Sequence, residues 1–380
     1  MLGLDTTVPV LTLAPINVEL AEYSELFLLI AAFIYTLAFI LFAVDTARSS
    51  ATIRRVEAEL AEEHAALQTQ ARPRELAGAG GPDVSESTDA AVSGGAESSL
   101  PADDEHLVDE DMAYVGTKRP LANVAVALSV VAVAAHAFAV IARGVAASRW
   151  PLGNMFEFLV GAALIVSLVY LVSLIRRDLR FLGVFVLGLV VTMMVAATIG
   201  FPTPIGHVQP ALQSPWLAIH VSLAVLSIAL FVLTFAMSVL QLTQSKREKA
   251  LARGENLSSG ERMLTRAPFL RLVPKAMSLE NWSYRINAVA FVFWTLGPMI
   301  TGAIWARETW GRYWGWDAKE VWTFVIWVVY AGYLHARATR GWTGNRAAWL
   351  SIAGFICIII NYAVVNVFFP GLHSYAGLPE

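Results

Sequence analysis

Apolar stretches separated by short polar ones run through most of the chain and predict a bundle of membrane-spanning helices. A helix crosses the apolar core of a bilayer, which is about 30 Å thick, with roughly 20 residues. The seventh stretch is the shortest and least apolar, because Tyr330, Tyr333 and His335 fall in its second half. We therefore expect an all-α polytopic membrane protein with about eight transmembrane helices. The eight stretches are approximately 25–44, 121–142, 156–175, 181–200, 216–240, 286–305, 319–336 and 347–369.

The distribution of cations predicts how these helices are oriented. With the N-terminus outside and eight alternating spans, 22 of the 27 lysines and arginines fall in the loops on the inner side. Cytoplasmic loops carry such an excess of positive charge, so we expect both termini outside. The residues before Leu26 include no lysine or arginine. The positive segment that begins a cleavable signal peptide is therefore not apparent.

The polar region after the first span has two parts. The N-terminal segment and first span occupy 1–44, and residues 45–72 continue them with helical spacing and good helix formers, which predicts a cytosolic polar helix. Residues 73–118 are rich in Gly, Ser, Ala and Pro and contain eleven acidic residues. Such a composition cannot bury enough apolar surface to order itself. We expect a disordered acidic cytosolic linker there, followed by the main transmembrane domain, 119–380.

The overall composition agrees with a membrane protein and limits the chemistry. Hydrophobic residues make up 57% of the chain and charged residues 15%, whereas soluble domains carry about 25% charged residues. The single cysteine, Cys357, lies in an apolar run and has no disulfide partner in the chain. We expect it to be a small buried hydrophobe. The chain also lacks the Cys-x-x-Cys-His signature of covalent haem attachment.

The segment between the sixth and seventh spans, 305–322, has an unusual concentration of aromatic and cationic side chains. Tryptophan commonly marks a membrane interface, but five in one loop interleaved with cations favour a ligand-binding platform. Asp317 and Glu320 have the spacing of a capping box at a helix start, and this structural role stays open beside a functional one. The aromatic and cationic side chains are Trp305, Trp310, Trp314, Trp316, Trp322, Arg307, Arg312 and Lys319.

Two histidines are predicted to lie on the same membrane face as this segment. His220 lies about one turn inside the outer end of the fifth span, and His373 lies just past the eighth. Haem requires axial ligands such as imidazoles for its iron, apolar or aromatic surface for the macrocycle and cations for the propionates. These residues together predict a haem site at the outer face.

The remaining intramembrane histidines lie elsewhere. His335 follows Asp317 by 18 residues, which is roughly 27 Å along a helix, so it belongs to the inner leaflet. An ionisable residue at that depth is a functional candidate. His136 lies nearer the middle of the second span, where packing and function are both open. His207 lies in an outer loop, where we expect no role.

The motifs resemble one known family. The pattern Trp310-Gly-x-x-Trp314-x-Trp316-Asp317-x-Lys319-Glu320-x-Trp322 resembles the WWD domain of the CcsA/ResC family, called CcsB in some bacteria, of the system II cytochrome c synthase. Three further segments resemble the family pattern in the expected order, and the resemblance runs from about residue 121 to the end. They are Arg149-Trp-Pro-x-x-Asn154-x-x-Glu157, Trp216-x-x-x-His220-Val and Gly371-Leu-His373-Ser-Tyr.

The resemblance implies a role in cytochrome c maturation, with haem b as substrate. It implies that His220 and His373 are axial ligands of an outer haem, and that His335 is a ligand of an inner haem. The second inner ligand would come from a ResB/CcsB-type membrane partner, with His136 as the fallback. The WWD segment, with its tryptophans and Asp317, would be the haem platform, and Arg307, Arg312 or Lys319 would bind the propionates.

The implied activity is that of a holocytochrome c synthase component, active with its partner and without a catalytic nucleophile. The other expected partners are apocytochrome c with its CxxCH motif, thiol-reducing thioredoxin-like proteins and the lipid bilayer, with no nucleic acid. The expected location is the bacterial cytoplasmic membrane, with the active face extracytoplasmic. Two alternatives stay open: a CcmC-like haem exporter or chaperone that forms no thioether, and an unrelated polytopic transporter with an aromatic outer loop.

Overall fold

The protein is built from helices joined by turns, as expected for an all-α polytopic membrane protein. The structure, a computed structural model, describes residues 15–77, 111–112, 119–207, 210–254, 256–339, 342–369 and 371–373. These described residues contain no strand. Most of the predicted linker, 73–118, lies outside them. The α-helices are α1 (Val18–Ala77), α2 (Pro120–Ala146), α3 (Met155–Arg176), α4 (Gly183–Val195), α5 (Pro215–Arg253), α6 (Ser259–Thr265), α7 (Ala276–Trp294), α8 (Gly302–Trp310), α9 (Ala318–Ala338), α10 (Asn345–Ile359) and α11 (Asn366–Phe368).

Seven helical stretches in the described part of the chain are long and apolar enough to cross a bilayer. The predicted span 319–336 corresponds to α9, which has 21 residues but is less apolar. At its start, Asp317 pairs with His373, and at its end Arg337 pairs with Glu280 at the start of α7. Helix α9 therefore runs from one end of the bundle to the other. The count of eight spans and their orientation remain predictions.

Helix α1 is continuous and packs along α2. It runs without interruption through the residues predicted as the first span and the polar helix. Ala31 and Ala38 of α1 and Ala125 and Ala132 of α2 are fully buried. Small side chains allow two helices to approach closely where lipid offers no hydrophobic driving force. The alanine-rich pattern of the two helices therefore accounts for their contact.

Polar side chains fix the starts of the helices at the end of the bundle that carries the tryptophan-rich segment. The Asn154 side chain accepts a hydrogen bond from the Glu157 N–H at the start of α3. Ser214 caps α5 in the same way, through the N–H of its second residue. Asp317 and Glu320 form a complete capping box at the start of α9. Each cap satisfies N–H groups that no residue within the helix can bond.

A buried carboxylate organises the loops at this same end. Glu157 is 2% exposed and accepts hydrogen bonds from Arg143 at 2.9 Å and from Arg149 at 2.8 Å. The two arginines also donate to the backbone oxygens of Thr203 and Gly206. A buried charge is tolerated when it is paired and hydrogen-bonded in this way. The cluster ties α2, α3 and the loop after α4 into one unit.

Three helices change to π-helical geometry at this end of the bundle. The segments are Thr295–Thr301 between α7 and α8, Ile360–Val365 between α10 and α11, and Ala196–Gly200 after α4. At Gly297 the backbone of the first segment approaches α5 closely. A Cβ there would lie 2.7 Å from the Leu223 Cβ and 3.1 Å from the Ala224 nitrogen. Glycine is the residue that permits this contact, because the opposing atoms belong to a helix backbone.

Replacing Gly297 is expected to destabilise the fold. Gly297→Ala forces α5 away from the π segment and should lower the free energy of unfolding by about 1–3 kcal/mol, the usual cost of overpacking. The measurement is denaturant unfolding of the purified protein in detergent.

The matched control for Gly297→Ala is Gly332→Ala on α9, where an added Cβ meets nothing within 4 Å. That change should be neutral, or stabilising by up to about 1 kcal/mol, because alanine is the better helix former. Equal stability of the two variants would contradict a close contact at Gly297.

Candidate functional site

His220 projects from the first turns of α5 toward the π segment that follows α7. Its Nδ1 lies 3.3 Å from the Gly297 carbonyl oxygen, and its ring stacks on Trp305 with the planes 8° apart. A Cβ on Gly302 would lie 2.8 Å from the imidazole, so the ring needs a glycine at that position. No hydrogen bond to Nε2 is found among the described residues, which leaves this nitrogen available as a ligand.

His373 approaches the same place from the tail that follows α11. Its Nδ1 lies 2.7 Å from Asp317 Oδ2, and its ring contacts Trp305 and Trp310. The other oxygen of Asp317 accepts the Glu320 N–H at the start of α9. A carboxylate on the second nitrogen is the usual way in which a protein orients a metal-binding histidine. Nε2 of His373 therefore points away from the hydrogen bond at Nδ1, and the same holds for Nε2 of His220.

Asp317 carries the negative charge that this arrangement needs. Burial raises the pKa of its carboxyl, but the hydrogen bond and positive potential of His373 lower it. The Glu320 N–H and the charge of Lys319 lower it further, so the net pKa lies below the ordinary value of 3.8. Asp317 is therefore an anion at neutral pH and acts as an acceptor toward both the helix and the imidazole.

The five tryptophans of the segment 305–322 occupy different environments. Trp305 is 1% exposed and packs edge-on against Trp310, so these two line the histidine pair. Trp314 and Trp316 pack against each other in the loop. Trp316 is 67% exposed and has a left-handed backbone with φ of 59°, while Trp322 is half-buried on α9. Ring contacts thus bring two of the five tryptophans to the histidines, and Trp314 lines the 50 Å³ cavity beside them.

The three cations of the segment also differ in position. The Lys319 ammonium donates to the backbone oxygen of Asn361 at 3.0 Å and lies 3.8 Å from the centre of the Tyr362 ring. Arg307 and Arg312 are exposed, and Arg307 donates a hydrogen bond to the backbone oxygen of Gly311, just after α8. Lys319 is the cation that faces the histidine pair, which the sequence alone did not decide.

Two small cavities connect these groups. Their volumes are about 50 and 110 Å³, whereas pockets that hold small organic ligands measure about 300–1,000 Å³. A ligand as large as haem therefore requires the site to widen. Both cavities are lined by His220, Trp305, Lys319, Tyr362 and His373.

The structure does not join the other candidate histidines to this site. His335 is exposed at the far end of α9, close in sequence to Arg337, which pairs with Glu280. His136 is fully buried, and its ring packs edge-on against Tyr35 of α1 at 5.8 Å. No described contact brings His335 and His136 together.

Sequence reasoning missed the backbone acceptors of the site. The Gly297 oxygen lies within hydrogen-bonding distance of His220, and the Asn361 oxygen accepts a hydrogen bond from Lys319. Both oxygens belong to π segments. The signals available were a Gly-Pro pair inside the sixth apolar stretch and an Asn-Tyr pair inside the eighth. These interruptions mark where helix geometry changes, but a sequence does not say which side chain uses the carbonyl.

Comparisons with known proteins identify relatives of this chain. A family model described as "Cytochrome C assembly protein" matches residues 152–373. The cytochrome c biogenesis protein CcsA of Heterosigma akashiwo is 36% identical over 253 residues, which is 60% of this chain and 77% of the relative. CcsA of Chlorella vulgaris is 35% identical, over 63% and 81% of the two chains. CcsA of a Picosynechococcus strain is 32% identical, over 62% and 82%.

The Asp317–His373 pair predicts a pH-dependent contribution to stability. Asp317→Asn keeps the helix cap, since asparagine caps well, but replaces a charged acceptor by a neutral one. The free energy of unfolding should fall by about 1 kcal/mol. Because the folded-state pKa lies below 3.8, the difference is complete above that pH and disappears as pH falls through the folded-state value. The measurement is unfolding of both proteins across that range.

Glu308→Gln on α8 is the control for Asp317→Asn. It removes one negative charge from an exposed carboxylate at the same end of the bundle, which accepts the Ser214 hydroxyl. We expect no comparable pH-dependent difference. A loss in Asp317→Asn that persists unchanged at the lowest pH would contradict an ionised Asp317.

Proposed function

The chain belongs to the CcsA family of cytochrome c assembly proteins, and from this premise we propose that it presents haem for attachment to apocytochrome c. It is a multi-pass membrane protein with a role in cytochrome c biogenesis. One observation carries the finer proposal. His220 and His373, 153 residues apart in sequence, line the same cavities with Nδ1 engaged and Nε2 free of described partners.

The histidine pair suits axial ligation of haem iron. An imidazole that donates from one nitrogen binds metal through the other, and the acceptor fixes its orientation and raises its basicity. Gly297 supplies a carbonyl acceptor to one histidine, and Asp317 supplies a carboxylate to the other. His373 is therefore the member of the pair with the charged acceptor.

The surroundings suit the rest of the haem molecule. Trp305 and Trp310 offer aromatic surface to the macrocycle, and Lys319 offers a cation to a propionate. Lys319 is held by the Asn361 oxygen and the Tyr362 ring. In this proposal Arg307 and Arg312 stay at the exposed rim. Trp314, Trp316 and Trp322 complete the platform around the site rather than contacting the iron ligands.

The proposed reaction joins haem to the CxxCH motif of apocytochrome c. Each cysteine S–H adds across one vinyl C=C, so that sulfur bonds to one carbon and the proton is delivered to the other. The histidine of the motif replaces one axial imidazole. This chain supplies no nucleophile in the proposal and acts by holding the reactants close, an effect that accounts for large rate gains.

The proposed setting is the bacterial cytoplasmic membrane, with the histidine pair on the extracytoplasmic side. A ResB/CcsB-type subunit completes the synthase, and thioredoxin-like proteins keep the cysteines reduced. We assign haem entry to His335, whose exposure on α9 leaves it accessible to a ligand from that subunit. His136 is the poorer second ligand, because its ring is buried among α1, α2 and α3.

Single histidine variants test the ligand assignment. His220→Ala and His373→Ala should each abolish the bis-histidine haem spectrum of the purified complex and lower the yield of covalent cytochrome c at least about tenfold. His335→Ala should reduce haem loading while leaving the spectrum of any loaded outer site unchanged. The measurements are absorption spectra of the purified complexes and haem staining of denatured cytochrome c.

The control is His207→Ala, because His207 is an exposed loop residue at the same end of the bundle. It should retain the wild-type spectrum and cytochrome yield. Wild-type spectra in all three test variants would show that the ligands are wrong. A wild-type complex that binds haem but never yields covalent cytochrome c would support the chaperone alternative.

The three cations can be distinguished by haem affinity. Lys319→Gln removes the charge beside the histidine pair and should weaken haem binding about 10–100-fold, the value of one charge-assisted hydrogen bond. Arg307→Gln and Arg312→Gln should change affinity less than about threefold. The measurement is haem titration of each purified variant followed by absorption. If either arginine variant weakened haem binding more than Lys319→Gln does, the propionates would have to bind at the exposed rim instead.

A further inference from the structure

A groove of about 880 Å³ runs along the outside of the bundle near the histidine pair. It lies between the end of α2, the first half of α3 and the first half of α5, and its lining is mostly apolar. Polar groups, including Ser148 and Gln213, occur where the helices end. Representative lining residues are Val140, Val145, Gly161, Ile165, Ser222 and Val225.

Two leucines border both this groove and the cavity beside the histidine pair. Leu152 and Leu212 line both the groove and the 110 Å³ cavity that contains His220 and His373. Both residues lie in connecting segments rather than in the long helices: Leu152 precedes α3, and Leu212 belongs to a short 3₁₀ helix before α5. Displacing the two side chains would merge the groove with the cavity.

Helix α5 forms a wall common to both spaces. Its residues Ser222 and Val225 face the groove, while Val221 and Ala224, one position before each, face the cavity. The groove therefore ends within one helix diameter of His220. The two cavities beside the histidines are too small for haem, whereas this adjoining groove has a volume in the range of ligand pockets.

We propose that the groove is a lateral entrance to the histidine pair, through which haem that has left the inner site at His335 passes from the lipid, with Leu152 and Leu212 as its gate. This inference rests on the proposed function. Haem has an apolar macrocycle and two anionic propionates. The apolar walls accept the macrocycle, and Lys319 beyond the gate attracts the propionates. The route avoids Trp305, which is packed between the two imidazoles.

The chain offers a way to close the groove without disturbing the core. A Cβ built on Gly161, inside α3, meets no atom within 4 Å, so a larger side chain there extends into the groove. Gly332, inside α9, has equally open surroundings but lies outside the groove. Replacing either glycine by tryptophan adds the same volume to a helix, and Gly161 is the one that blocks the proposed route.

The test is the rate of haem loading into the full-length protein reconstituted in phosphatidylcholine bilayers. Haem is added, and the appearance of the bis-histidine spectrum is followed with time. Gly161→Trp should load at least tenfold more slowly than wild type, while Gly332→Trp loads at the wild-type rate. Leu152→Ala combined with Leu212→Ala widens the gate and should load several-fold faster.

The outcomes separate this inference from the proposed function. Wild-type loading rates in both Gly161→Trp and the double leucine variant, with a normal final spectrum, would overturn the lateral entrance and leave the histidine site intact. Absence of a bis-histidine spectrum in the wild-type protein would overturn the proposed function and this inference with it. If Gly161→Trp does not fold, Gly161→Leu serves as the smaller plug, and the leucine variant still decides the question.

Discussion

The carboxylate of Asp317 joins three parts of the protein that are distant in sequence. One oxygen caps α9, and the other holds His373 on the tail after α11. Through His373 the same group fixes the position of Trp305 and Trp310. The same carboxylate therefore caps a helix and bonds an imidazole, so the capping role that the sequence left open is compatible with the functional role that we propose.

Ion pairs and hydrogen bonds between side chains hold the bundle together at both ends and in the middle, where lipid offers no water to satisfy polar groups. Glu157 pairs with two arginines at the end that carries the histidines, and Glu280 pairs with Arg337 at the opposite end. Between these ends, Asn287 links Thr234 of α5 to Ser351 of α10. In the histidine pair, each imidazole has an oxygen acceptor at Nδ1 and no described partner at Nε2.

The all-α membrane fold was predictable because hydrophobic length is a direct consequence of bilayer thickness. The nearness of His220, His373 and the tryptophan segment was also accessible, since topology places them at one end. Their pairing was not: the partners of His220 and Lys319 are backbone carbonyls, and those are set by helix geometry. The choice of Lys319 among three cations likewise depends on which side of α9 faces the bundle.

The π segment Thr295–Thr301 determines which side of α8, the helix that follows it, faces the bundle. Asn287 and Trp294, seven residues apart, are buried, and a continuous α-helix would next bury Thr301 and Glu308. Instead Gly302 is buried, Thr301 is half-buried and Glu308 is exposed. One extra residue in the turn has shifted the inward face by one position, about 100° around the helix axis. The space for His220 therefore depends on helix register. A single-residue deletion in the π segment would move Gly302 away from the imidazole and bring a neighbouring residue into its place, although no residue of the site had been substituted.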